Sequence, residues 1–320
     1  MEKIQVRARR WGTAVAAVSL LAACGTAGGP AAGGSGPAAA LPPSEGGRVV
    51  QADDTSCDPT RSVPPSGTAN GGWVRTIQQR GKLVVGVDQN AFHWGARDTV
   101  TGQLEGFDID LVHALAKALA GSPDAVQFIS IPAADRIPAL QSHRVDLVVR
   151  ALALTCDRKK QIGMSTAYFH TGHQAIVRAT SKAQNLDQAL RGQRVCVTAG
   201  ATEEAEIAAN PHGNAGVVKV GNEVDCLVQL QLGDADAIFT DGAYGAALVA
   251  QDASVRLVDH PYSDKYFGVG VNLGDTDLLA RVNQVLEDYR SSGAWTASYD
   301  HWLEPYLGTV AGPPAASYQQ

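Results

Sequence analysis

Two runs of the chain, residues 82–150 and 194–250, each alternate short β-branched stretches with segments of helical period, and this repetition limits the fold more than any other feature. In the first run, residues 82–87 read as a strand. Gly106-Phe107-Asp108 then opens a helix on which Ile109, Val112, Leu115 and Leu119 recur at helical spacing, until Gly121 and Pro123 stop it. A strand at 126–131, a short helix at 136–142 and a buried strand ending at Arg150 follow. The second run repeats the scheme with strands at 194–198, 216–220 and 235–240 and helices at 203–209, 224–232 and 242–250. Alternation with such short connections gives parallel sheets covered by helices, so the chain reads as α/β in two units. Extended stretches at 174–179 and 257–262 lie between them, and residues 267–272 with helices near 278–290 and 294–303 finish the body. Two extended stretches imply that the chain crosses to the second unit and returns.

In α/β sheets small ligands bind beyond the carboxyl ends of the strands. The segment 150–169, RALALTCDRKKQIGMSTAYF, lies at such an end and places Arg150 and Arg158 around a turn opened by Thr155-Cys156-Asp157. A guanidinium there selects anions, because its planar fork matches the two oxygens of a carboxylate.

The beginning of the chain speaks for export. Lys3, Arg7, Arg9 and Arg10 precede an apolar run from Trp11 to Ala23, shorter than the ~20 residues of a spanning helix and suited to a secretory signal. It ends in Leu21-Ala22-Ala23-Cys24, which resembles a bacterial lipobox, with Cys24 as the lipidated new N-terminus. From Gly25 to Ser44 the chain is almost wholly Gly, Ala, Pro and Ser, a composition that cannot bury enough apolar area to offset its ordering entropy. Residues 24–72 are therefore expected to form a lipid-anchored tether after a signal peptide at 1–23. The four cations and Glu2 make the leader +3, so the net charge of −6 becomes −9 without it, which argues against nucleic acid and against a membrane-binding surface beyond the anchor.

Lipidation would remove one of five cysteines, leaving Cys57, Cys156, Cys196 and Cys226 with three possible pairings. Cys196 and Cys226 fall in one segment and are the favoured pair, which leaves Cys57 for Cys156. No CxxC occurs and the eight histidines are scattered, so no metal or cofactor is expected, and His170 and His173 read as surface or packing residues.

Four stretches in order, residues 83–111, 153–169, 192–202 and 230–248, resemble the successive signatures of the polar amino-acid solute-binding proteins of bacterial ABC systems, closest to actinobacterial glutamine/glutamate-binding lipoproteins. The resemblance covers residues 73–308. It implies a type II periplasmic-binding-protein fold, two α/β lobes joined by two hinge strands, with lobe 1 at 73–174 and 263–310, lobe 2 at 175–262 and a disordered tail at 311–320. It further implies that Arg158 clamps an α-carboxylate, that backbone groups at Ala151 and Ala153 touch the ligand's α-groups, and that Thr202 closes from a helix start across the cleft. Asp241 would accept the α-ammonium, its alternative being a plain N-cap before Gly242. Where relatives often have Thr or Ser the chain has Ala153, and where they often have Lys or Arg it has Thr198, so recognition shifts to amides and arginines.

Specificity is expected from Arg150 and Arg97, whose extra charge would suit a second carboxylate and favour glutamate or aspartate, then asparagine or glutamine. Alternatively Arg150 pairs internally, with Asp157 or Asp108. Phe92 and Trp94 would wall the ligand's methylenes or belong to the lobe core, and Asp88 stands with them at the first strand end. The expected function is capture of one free L-amino acid by a monomer on the outer face of the cytoplasmic membrane, and delivery to an ABC permease. A membrane-bound sensor is the alternative partner. An enzyme is not expected, the remote alternative being a dehydratase-like relative with Asp88 or Glu203 as its acid.

Overall fold

The computed structural model describes residues 57–319; the leader, Cys24 and the tether up to residue 56 lie outside the described residues. Within them, two sheets are each buried on both faces.

The first sheet has the order Val126–Ser130, Leu83–Val87, Leu147–Val148, Gly270–Asn272, Ile162–Met164. Its first three strands run parallel, while Gly270–Asn272 is antiparallel to both neighbours. On one face Ile77, Leu115, Val282 and Tyr299 bring in the helices Gly72–Arg80, Phe107–Ala120, Thr276–Ser291 and Ala294–Trp302. The other face carries Leu140 and Ile162 around the short helix Arg136–Gln141. Each fully buried Leu or Ile contributes roughly 1.5–3 kcal/mol, which sets these layers.

The second sheet has the order Gly216–Val220, Arg194–Thr198, Ala237–Asp241, Phe169–Arg178, Val255–Leu257. Helices Leu186–Leu190 and Thr202–Ala209 cover one face, Glu223–Leu232 and Gly242–Gln251 the other. Local chemistry fixes these helix starts: Asn222 and Asp225 form a capping box, and Asp241 accepts from the amide of Tyr244 at 2.8 Å. The disulfides join Cys196 to Cys226, tying a central strand to the helix on its face, and Cys57 to Cys156.

The sheets are linked by Phe169–Arg178, whose first half pairs antiparallel with Asp264–Phe267 from Phe169 to Gly172. The return crossing therefore lies later than the expected 257–262, because Leu257 still pairs with Ile176 inside the second sheet. Residues 174–178 likewise already belong to that sheet, which moves the outward crossing to 169–172.

Both ends of the described chain depart from expectation. Residues 57–72, expected as tether, are packed: Ser62 donates to the carbonyl of Met164 at 2.8 Å and Asn283 donates to the carbonyl of Val63 at 2.8 Å. The tail, expected to be disordered, pairs Ser317–Tyr318 in parallel with Arg61–Ser62, and the Tyr318 hydroxyl donates to Glu287. Composition marks neither segment, because each supplies the other's strand partner. The Cys57–Cys156 bridge spans 99 residues, so it should restrict the unfolded chain strongly. Replacing both cysteines by serine is expected to lower the unfolding free energy by about 2–4 kcal/mol, read from the urea midpoint.

Candidate functional site

The parallel strands of both lobes end on one cleft, and three arginines from lobe 1 reach into it. Arg158 follows from local capping: Thr155 accepts from its amide at 3.2 Å and starts the turn Cys156–Lys159. Its Nη1 donates to the carbonyl of Ala153 and its Nη2 to that of Gly200, both at 2.9 Å. Arg136, from the short helix, donates from Nε to Ala133 at 2.8 Å and from Nη2 to the same Gly200 oxygen at 2.9 Å. Neither forms an ion pair with a carboxylate among the described residues. Burial lowers both, Arg136 to about 9 with the help of the neighbouring Arg158 and Arg150.

Arg150 lies differently from its expected role. Its guanidinium is 1 % exposed and sits 2.7 Å from Asp88 and 3.5 Å from Glu223, with Asn222 at 3.4 Å. It lines the cleft, but its charge is taken up by carboxylates, and the partners are Asp88 and Glu223 rather than Asp157 or Asp108. Asp88 is correspondingly an ion-pair partner that also accepts from the amides of Gln89 and Asn90.

On the lobe 2 side, Thr202, Glu203 and Asp241 face Lys265 of the returning hinge strand. Lys265 Nζ lies 2.6 Å from Glu203 and 3.4 Å from Asp241, so Asp241 both caps its helix and holds an ammonium of the protein. His173, expected at the surface or in packing, contacts Thr202 Oγ1 at 3.1 Å and Glu203 at 3.4 Å. Burial pushes it down to about 4, so it is neutral near pH 7.

The cleft unites Arg136, Arg150, Ala151, Ala153, Arg158 and Thr202 with Asp241, and their side chains leave little free space in it. Three polar atoms of its lining, the Tyr244 hydroxyl, Glu223 Oε2 and Arg150 Nε, have no hydrogen-bond partner among the described residues.

Four expected ligand residues lie outside this lining: Asp88, engaged by Arg150, and three more. Arg97 is exposed on a small outer sheet and donates to the carbonyl of Gly102 at 2.7 Å. Phe92 packs on His93 and near Tyr306. Trp94 is fully buried among Phe107, Phe169, Tyr244 and Phe267, a core position that excludes ligand. Sequence reasoning missed Arg136, Glu223, Tyr244 and Lys265. Of these only Tyr244 carried a signal, standing one turn into the helix that Asp241 caps.

The profile of one protein family matches residues 83–305, a span that takes in both lobes and every residue lining the cleft. The chain belongs to the bacterial extracellular solute-binding proteins, family 3. Among its curated relatives, the ABC transporter glutamine-binding protein GlnH of Bacillus subtilis is 28 % identical over 71 % of this chain and 83 % of its own. The glutamine-binding protein of Geobacillus stearothermophilus is 30 % identical over 67 % and 80 %. Among solved structures, an ancestral arginine-binding protein bound to glutamine is 33 % identical with a TM-score of 0.65, covering 72 % of this chain and 99 % of its own. Proteins of this family bind solutes, and in this member no helix among the described residues is long and apolar enough to cross a membrane.

Three positions near the cleft carry backbone or charge constraints. Ala151, at φ 39°, takes a conformation L-residues avoid, and its amide donates to buried Asp108 at 3.1 Å. Gly200 stands at φ 78°, and a Cβ there would meet Ala134 Cα of the other lobe at 2.5 Å. Gly200→Ala is therefore expected to hold the lobes apart, raising the radius of gyration in small-angle scattering; an unchanged profile would contradict this. Burial pushes Asp108 up to about 7, against the hydrogen bonds from Tyr168 and Ala151. A raised acid contributes its full stability below the unfolded value of 3.8 and loses it as pH rises through about 7. Asp108→Asn should thus gain on the wild type as pH rises from ~4 to ~7, by roughly 2–4 kcal/mol at the upper end, with no further gain above it. Urea unfolding at each pH checks this, and parallel stability curves would refute it.

Proposed function

We propose that this family member is an exported, lipid-anchored protein that captures free glutamate or aspartate between its lobes, hands it unchanged to an ABC importer, and performs no chemistry on it. The observation that carries the ligand assignment is the pair Arg136 and Arg158, two buried guanidiniums that open on the cleft with only carbonyl partners. Around them, Arg150 faces two carboxylates, Asp88 and Glu223, and Lys265 faces two more, Glu203 and Asp241. Each of these clusters has one carboxylate in excess, while Arg136 and Arg158 supply two free positive charges. An amino acid with two carboxylates meets both free guanidiniums, and its one ammonium answers the surplus carboxylate at Asp241.

In this reading Arg158 takes the α-carboxylate, Arg136 the side-chain carboxylate and Asp241 the α-ammonium, with the Ala151, Ala153 and Thr202 backbone beside them. The role first expected of Arg150 passes to Arg136, because Arg150 is already neutralised. Closure follows from differential contact: a ligand that touches Arg158 on one lobe and Thr202 and Asp241 on the other stabilises only the closed form. The importer is supported by relatives whose names place them in ABC transporters, and the anchor by the Leu21-Ala22-Ala23-Cys24 sequence before a Gly, Ala, Pro and Ser tether.

Calorimetry on the leaderless protein is expected to give one site with glutamate or aspartate at least tenfold tighter than glutamine, and the ligand recovered chemically unchanged. Arg158→Ala should abolish binding of every amino acid, while Arg136→Gln should cut the preference for glutamate over glutamine roughly ten- to hundredfold, the worth of one charge-assisted contact. Preference of the wild type for glutamine or for a basic amino acid overturns the assignment.

A further inference from the structure

The carboxylate pair at the lobe 2 side of the cleft already holds an ammonium, and it belongs to the protein. Lys265 projects from the returning hinge strand Asp264–Phe267, is 8 % exposed, and places Nζ 2.6 Å from Glu203 Oε1 and 3.4 Å from Asp241 Oδ2. Both carboxylates come from lobe 2, Glu203 in the first turn of Thr202–Ala209 and Asp241 at the cap of Gly242–Gln251. Burial works to raise Glu203, but Lys265 and His173 outweigh it and hold the carboxyl at about 2, so it is anionic. His173, neutral near pH 7, adds no charge, and Arg158 of the other lobe feels Glu203 but hydrogen-bonds only to carbonyls, so it stands outside the ion-paired group. The group therefore counts one cation against two carboxylates.

We infer that Lys265 is a specificity-determining residue which rejects amino acids bearing a second cation, by filling the Glu203 half of a carboxylate pair and leaving Asp241 for one ligand ammonium. The inference rests on the proposed placement of the ligand's α-ammonium at Asp241. The side-chain cation of ornithine, lysine or arginine is turned away by Arg136, so its remaining counter-charge is the Glu203–Asp241 pair, where it meets Lys265 in a desolvated cleft and like charges repel far more than in water. Without Lys265, two buried carboxylates would stand side by side, and a buried charge lacking its partner is costly. A dibasic amino acid would then supply both cations, and the residue that excluded it would be gone.

Titration calorimetry and thermal melting of the leaderless wild type, Lys265→Met and the charge-balanced Lys265→Met/Glu203→Gln protein, with glutamate, ornithine, lysine and arginine, test this. The wild type should show no detectable binding of dibasic amino acids. Lys265→Met should bind at least one of them, shifting its affinity relative to glutamate tenfold or more, and that ligand should raise its melting temperature even if the variant is marginally folded. In the double variant, with one carboxylate again, both effects should vanish. A Lys265→Met protein that no dibasic amino acid binds or stabilises overturns the inference, as does equal gain in the double variant. If the wild type prefers glutamine to glutamate, the acidic assignment falls, while exclusion by Lys265 is still decided by these titrations.

Discussion

One backbone atom, the carbonyl oxygen of Gly200, receives a hydrogen bond from each of two buried guanidiniums of the opposite lobe. A carbonyl has two lone pairs and satisfies both donors, yet it neutralises neither charge. Arg136 and Arg158 therefore sit together as like charges in a desolvated space, which is why the first is held well below its usual value. An anion entering between them removes that repulsion. In the proposed reading the same atoms that hold the lobes together would make closure depend on a carboxylate, so that binding and closure would be one equilibrium. The left-handed backbone at Gly200 lets the lobes come this close, since any side chain would strike Ala134.

The remaining cleft charges are built to stay fixed. Arg150 is enclosed by Asp88 and Glu223, and Lys265 by Glu203 and Asp241. Removing one member of such a buried group strands the others, at a cost of about 3–5 kcal/mol, so these clusters hold the shape of the site while Arg136 and Arg158 remain free to respond. Arg150 belongs to lobe 1 and Glu223 to lobe 2, which adds a second cross-lobe contact independent of Gly200. The hinge takes part directly: Lys265 lies on its returning strand and pairs with Glu203 and Asp241 of lobe 2.

Much of this was legible in the sequence, and the exceptions have physical causes. Strand and helix periods revealed both α/β units because each element is amphipathic or buried along its own length. The turn with Arg158 was visible because its cap, Thr155, stands three residues before it. Arg136 was not, since it reaches the cleft from a six-residue helix that nothing local distinguishes from any other solvated helix start. Lys265 was hidden by a crossing placed a few residues too early, which left it among loop positions. Arg150 was visible as a cation at a strand end, but its partners are 62 and 73 residues away, beyond any local pattern. Trp94 shows the converse error: an aromatic near a strand end suggests a ligand wall, whereas here four aromatic rings enclose it in the core.

The Cys57–Cys156 bridge ties the start of the described chain to the residue two positions before Arg158. Lys159 adds to the same junction by donating to the carbonyls of Asp58 and Arg61, and Arg61 itself pairs with the tail strand. The binding turn is therefore clamped by the two ends of the folded body as well as by its own cap. A short turn of four residues would otherwise sample many arrangements, and ordering a long arginine side chain costs up to about 2 kcal/mol each time a ligand binds. In the proposed reading, clamping the backbone beneath Arg158 would meet part of that cost during folding and leave more of the ligand's contact energy for closing the cleft.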